Sequence, residues 1–132
     1  MTLMDSFATF VATSVGSTIG QDLFKSQAPS SQQGNDSLWW ITRAGGQKTL
    51  DLPTGAAIKS YIFEIYYRNI DGQVVEDELE DLEEALNSDA CTQLTGFTVI
   101  DVEASVLGVD QDLDNEDRQV GLLQANVTIY KE

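Results

Sequence analysis

The sequence predicts an α+β fold: a mixed or antiparallel sheet of about four strands with two helices packed on one face. Three features predict it. Strand-like segments arrive in pairs, and a helix-like segment precedes each pair. The resulting order of helix, strand, strand, helix, strand, strand contains no alternating βαβ units from which to build a parallel sheet. The chain has 132 residues, 42% of them hydrophobic, which is the size of a single domain over residues 1–132 with one core.

The first element is a helix between about Thr2 and Val15, because Leu3, Phe7, Phe10, Val11 and Val15 fall on one apolar stripe at helical spacing. Gly16 and Gly20 end it. From Ser26 to Ser37 the chain is Ser-, Gln- and Gly-rich with Ala28 as its single apolar residue, the composition of a loop. Leu38 to about Arg43 is an aromatic and β-branched run that reads as a strand stopping at Gly45-Gly46, with Gln47 to Gly55 as a long connection or arm. The next strand, Ile58 to Arg68, puts Tyr61, Phe63, Ile65 and Tyr67 on one face and Ser60, Glu64 and Arg68 on the other.

A turn at Asn69 to Gly72 leads into a helix reaching about Asn87, with Val75, Leu79, Leu82 and Leu86 as its buried stripe and the acids turned to solvent. Burying four such side chains contributes about 1.5–3 kcal/mol each. That outweighs like-charge repulsion of about a few tenths of a kcal/mol per pair on the exposed face. Two strands close the domain. Phe97 to Leu107 is expected to turn Ile100, Val102, Ala104 and Val106 inward, and Gln119 to Tyr130 to turn Leu123, Ala125, Val127 and Ile129 inward. The acidic stretch Gly108 to Asp117 between them reads as a loop or hairpin tip.

Composition removes several function classes. There is no histidine, which takes away the commonest zinc ligand and general base, and no GxSxG, phosphate-cradling glycine loop or HExxH motif occurs. No catalytic residue and no cofactor is therefore expected. The lone Cys91 has the acids Asp89 and Asp101 as its nearest charges along the chain, which disfavour a thiolate, so it reads as a bystander. The first twenty residues lack a basic n-region and no apolar run is long enough to span a bilayer, so a soluble chain without a secretory signal is expected. Asn126-Val127-Thr128 matches a glycosylation sequon but lies mid-strand and is discounted.

The net charge of −15 repels nucleic-acid phosphates and anionic lipid alike, so neither free DNA nor a membrane is an expected partner. The charge is unevenly spread. Sixteen acids and no lysine or arginine lie between Asp71 and Asp117, and all seven basic residues lie outside that block. One acidic face and one more neutral face would suit head-to-tail contacts between identical subunits.

Two constellations are candidate sites. Asp110, Asp112, Asp114 and Glu116 have the carboxylate spacing of a calcium loop, yet Asn115 stands where the loop needs glycine and Gly121 where it needs a bidentate glutamate. An acidic hairpin tip is the expected reading and no metal site is assigned, with weak divalent binding as the alternative. Trp39-Trp40 must point to opposite faces of a strand, so one tryptophan enters the core. The other is either an interface anchor or packs under a helix or loop. Trp39, Trp40, Asp110, Asp112 and Asp114 are the candidate interface residues.

Three segments, IKSYIFEIYYRNIDG followed by VEDELEDLEEALN, then LTGFTVIDVEASV, then RQVGLLQANVTIYKE, resemble in their layout the tail terminator proteins of long-tailed bacteriophages of the lambda type. The likeness lies in a core strand running into an amphipathic helix that ends in Leu-Asn (Leu86-Asn87), and in a closing strand that ends in Val127-Thr128-Ile129-Tyr130; the Trp39-Trp40 pair has no counterpart in it. The resemblance implies a homo-oligomeric ring, by analogy a hexamer, that docks on the tail tube, stops its polymerisation and presents a surface to the head-tail connector proteins. It implies contact with DNA only as DNA passes through the lumen, and a place in the virion tail after assembly in the host cytoplasm. Alternatives are another head-tail junction or minor tail protein, an acidic adaptor that mimics nucleic acid for a basic partner, and a small-molecule or divalent-ion binding module.

Overall fold

A computed structural model describes residues 2–26, 36–88, 94, 96–111 and 118–131. Its elements are α1 (Leu3–Val15), β1 (Leu23–Phe24), β2 (Leu38–Asp51), β3 (Ala57–Asn69), α2 (Gly72–Ser88), β4 (Thr98–Gln111) and β5 (Gln119–Lys131). They form one five-stranded sheet in the order β1-β2-β3-β5-β4. All pairs are antiparallel except β1 with β2, so the sheet is mixed. Both helices pack on one face, as expected.

Helix α1 starts at a capping box. The Asp5 amide donates to Thr2 Oγ1 and the Thr2 amide donates to Asp5 Oδ2, each at 3.1 Å. The hydroxyls of Thr9 and Thr13 donate to the carbonyls four residues back, which lets these residues stay inside the helix. Gly16 ends the helix at φ 73°, a left-handed cap that suits glycine. The α1 stripe meets the sheet through Phe7, which stacks on Phe63 with ring centroids 4.5 Å apart.

Helix α2 buries the expected four residues, Val75, Leu79, Leu82 and Leu86, over β3, β5 and β4. Gly121 of β5 makes this possible. A Cβ there would stand 2.6 Å from Val75 Cγ1 and 2.3 Å from Leu79 Cδ1, so the helix lies against bare backbone. Between the helices and the sheet sits one core, with Trp39, Ile41, Phe63, Ile65, Leu123, Ala125 and Val127 on the strand side.

Three expectations are corrected. Strand β2 does not stop at Gly45-Gly46. It continues to Asp51, and the chain reverses over Leu52–Ala56, where the Leu52 amide donates to the Ala56 carbonyl. Ala44 pairs with Ile62 and Lys48 with Ser60, so residues 45–47 stand opposite Tyr61 alone. The glycines lie in a bulge that carries two extra residues, and they bend the strand without ending it.

Strand β4 likewise continues past Leu107 to Gln111, so Gly108–Gln111 is strand and not loop. Ile100 does not turn inward and is 49% exposed. Val99 pairs with Ile129 and Asp101 with Thr128, which leaves Ile100 as the extra residue of a bulge, and Val99 packs against the core in its place. A second bulge at Leu107 reverses the parity again and leaves Leu107 exposed.

The two-residue β1 has no counterpart in the sequence reading. The turn before it holds it in place, through the Thr18 amide on Asp22 Oδ1 at 2.7 Å and the Trp39 amide on the Asp22 carbonyl at 2.9 Å.

Candidate functional site

Adjacent strand residues face opposite ways, and the two tryptophans divide accordingly. Trp39 enters the core and stacks on Tyr67 at 4.1 Å. The Tyr67 hydroxyl, at the end of that stack, accepts from Asn69 Nδ2 at 2.9 Å and lies 3.2 Å from Ser37 Oγ. Trp40 lies on the other face and stacks on Tyr66 at 5.3 Å with nearly parallel rings. Burial, then the adjacent Glu64 carboxylate and the hydrogen bond donated to it, raise the Tyr66 pKa above the usual phenol value.

That second face is uncovered by either helix, and it has two halves. Over β2 and β3 is its more apolar half, with half-buried Trp40, Ile58, Ile62 and Tyr66 interleaved with Thr42, Ser60 and Glu64, and Leu122 of β5 continues the apolar set. Toward β4 it becomes polar and acidic, with Asp101, Glu103, Ser105 and Asp110 exposed. Trp40 and Asp110 therefore share a face. They sit in neighbouring same-face rows, three strands and about 14 Å apart across the sheet and two residues apart along it. Asp112 and Asp114 lie outside the described residues, as do Cys91 and residues 27–35 of the Ser26–Ser37 segment.

Beside these surfaces, the sheet edge at β4 is closed by α2. Asn87 accepts from the Ala104 amide at 2.8 Å and donates to the Ala104 carbonyl at 3.1 Å, while the Val106 amide donates to Glu83 Oε2 at 2.8 Å. Two helix side chains thus occupy backbone groups that a further strand would use. The remaining acids of α2 are Glu76, Asp77, Glu78, Glu80, Asp81 and Glu84; all but the half-buried Glu78 are exposed and form a ridge about 12 Å long.

At the far end of the helix-bearing face the hairpin of β2 and β3 runs past the start of α1, leaving an open groove of about 1070 Å³. Leu3, Arg43, Tyr61, Phe97, Ile129 and Lys131 line it, and no acid does among the described residues. The Arg43 guanidinium lies 4.7 Å from the centre of the Tyr61 ring. Lys59, two residues from Tyr61 on the same face and paired in register with Ile129, adds a third cation to this end.

Sequence reading missed the groove and the plug at β4 because both join residues far apart in the chain. The apolar half of the open face did leave a signal, in Ile58, Ile62 and Tyr66 at every second even position of β3. Among the described residues no group of three His, Cys, Asp or Glu is placed to hold a metal ion. No described helix is long and apolar enough to cross a membrane.

No family model matches the chain, and no curated protein matches it. Among solved structures it is similar to a chain from the virion of a native gene transfer agent particle. The TM-score is 0.56 at 13% identity, over 91% of this chain and 84% of that one. At that identity the likeness shows a shared fold.

Proposed function

We propose that this chain is a non-enzymatic virion structural protein of a tailed phage or phage-like particle, and within that class a tail terminator. The observation that carries the reading is the fold shared with a gene transfer agent virion chain over nearly the whole length of both. The order of elements that resembles the lambda-type terminators adds the finer assignment. In this role copies of the chain form a ring, by analogy a hexamer, on the head-proximal end of the tail tube. The ring stops tube polymerisation and offers its other side to the head connector.

The surfaces suit such work. Trp40 with Tyr66, Ile62 and Leu122 offers half-buried aromatic and aliphatic side chains of the kind found at subunit contacts, and Asp110 marks the acidic side of the same face. The segment that follows β4, with Asp112 and Asp114, belongs to the same proposed contact by its position in the chain. A net charge of −15 keeps passing DNA from adhering to a ring lumen.

Purified protein added to polymerising tail tube subunits tests the reading. Tubes of arrested length carrying a terminal density in negative-stain images are expected. Tubes that grow unchanged and bind no protein would refute it. A protein that stays monomeric and binds a basic partner with steep salt dependence would instead make the α2 ridge a mimic of a phosphate backbone.

A further inference from the structure

We propose that the groove lined by Arg43, Tyr61 and Lys131 receives the acidic outer ridge of α2 from a second copy of this chain. The inference rests on the ring reading and names the contact between its neighbours.

Copies carrying −15 each repel one another unless unlike surfaces meet. The two ends of this contact are unlike to an unusual degree. No acid lines the groove among the described residues, although one residue in six of the chain is an acid. Arg43 and Lys131 are exposed at its rim and Lys59 lies beside it. The ridge presents Glu76, Asp77, Glu80, Asp81 and Glu84 on a regular 17-residue helix, and the sequence holds no lysine or arginine from Asp71 to Asp117.

Lys25 is paired with Asp5 at 2.8 Å and Arg118 with Asp36 at 2.9 Å, while Arg68 is buried. The apolar floor of Leu3, Phe97 and Ile129 gives the contact area beyond the charges. Among the described residues Asp51, at the tip of the same face, is the acid nearest to Lys131 by strand register, and it stands outside the groove lining.

Groove and ridge belong to different elements of one chain. The contact is therefore heterologous, and each added copy leaves one free groove and one free ridge until the series closes on itself.

Charge reversal separates this contact from any other. One variant carries Arg43→Glu and Lys131→Glu, the other Glu80→Lys and Asp81→Lys. All four positions are exposed, and circular dichroism checks that both variants fold. Analytical ultracentrifugation from micromolar to millimolar concentration should show the wild type associating, more weakly as salt rises. Each variant alone should raise the dissociation constant at least about tenfold, because like charges now face each other. An equimolar mixture of the two should recover wild-type association, since each reversed groove meets a reversed ridge and each native groove a native ridge.

A wild type that remains monomeric throughout, variants that associate as the wild type does, or a mixture no more associated than its components would overturn the contact. A ring that survives both reversals removes this contact and leaves the ring reading intact. Loss of tube capping with the charge-swap pattern intact does the opposite.

Discussion

The two edges of the sheet are managed by different means. On the β4 side a 14-residue strand lies outermost. Asn87 and Glu83 of α2 fill its middle, and bulges at Ile100 and Leu107 distort it on either side. On the β2 side the cover is the two-residue β1, held by the turn from Thr18 to Asp22. One edge is closed by long-range side chains from a helix and the other by a short local segment. Closure that depends on a helix fails whenever the helix moves, so the fit of α2 governs both the core and the exposure of β4.

The strongest way to break this arrangement is Gly121→Ala. Its new methyl would press on Val75 and Leu79, both fully buried, and the stiff β-branched Val75 has little room to yield. A loss of about 1–3 kcal/mol is expected in urea unfolding, as for other overpacked cores. Faster amide exchange at Ala104 and Val106 should accompany it. Unchanged exchange there would separate helix packing from edge closure.

Asn87→Ala removes both bonds to Ala104 without touching the buried stripe, and about 1–2 kcal/mol is expected from the same measurement. Concentration-dependent light scattering should rise, because the freed edge can pair with another strand. On the opposite edge, Asp22→Ala frees the Thr18 amide and should cost about 0.5–1 kcal/mol, with exchange quickened at Trp39 and not at Ala104. Equal quickening at both edges would show that the two are one cooperative unit.

The smallest effect concerns α1. Its Asp5 carboxyl is lowered to about 2, first by Lys25 and then by the Thr2 backbone and hydroxyl. A folded-state value below that of the unfolded chain means a contribution complete above pH ~4 and lost as pH falls toward 2. Helical ellipticity in an acid titration should fall over that window in the wild type and not in Asp5→Asn.

What could be read from the sequence was whatever repeats locally. The stripe of Val75, Leu79, Leu82 and Leu86 and the odd positions of β3 and β5 are each set by a single period, and the structure buries them as read save Tyr61, which is half-buried beside the groove. The split of Trp39 from Trp40 follows from strand geometry alone. Period-based reading fails where one residue is inserted, as at Ile100, because a bulge moves every later side chain to the other face. It also fails at Gly45-Gly46, where glycine means a bulge and not a stop. Leu86-Asn87 is legible as a helix ending, but its meaning needs Ala104, which only the fold brings near. The groove is hidden for the same reason, since Leu3, Arg43, Phe97 and Lys131 span nearly the whole chain.

The bulge at residues 45–47 has a bearing on which lengths of chain this hairpin can accept. Its excess is two residues, so the strand alternation beyond it stays in phase with that before it, with Ala44 paired to Ile62 and Lys48 to Ser60. Shortening this stretch by two residues would straighten the hairpin and preserve every facing beyond it. Shortening it by one would put the alternation beyond it out of phase, with Asp51 turned to the opposite side of the sheet. Relatives that vary in length here should therefore differ by even steps, and the bend beside Arg43 and Tyr61 can change by insertion or deletion without disturbing the core beneath it.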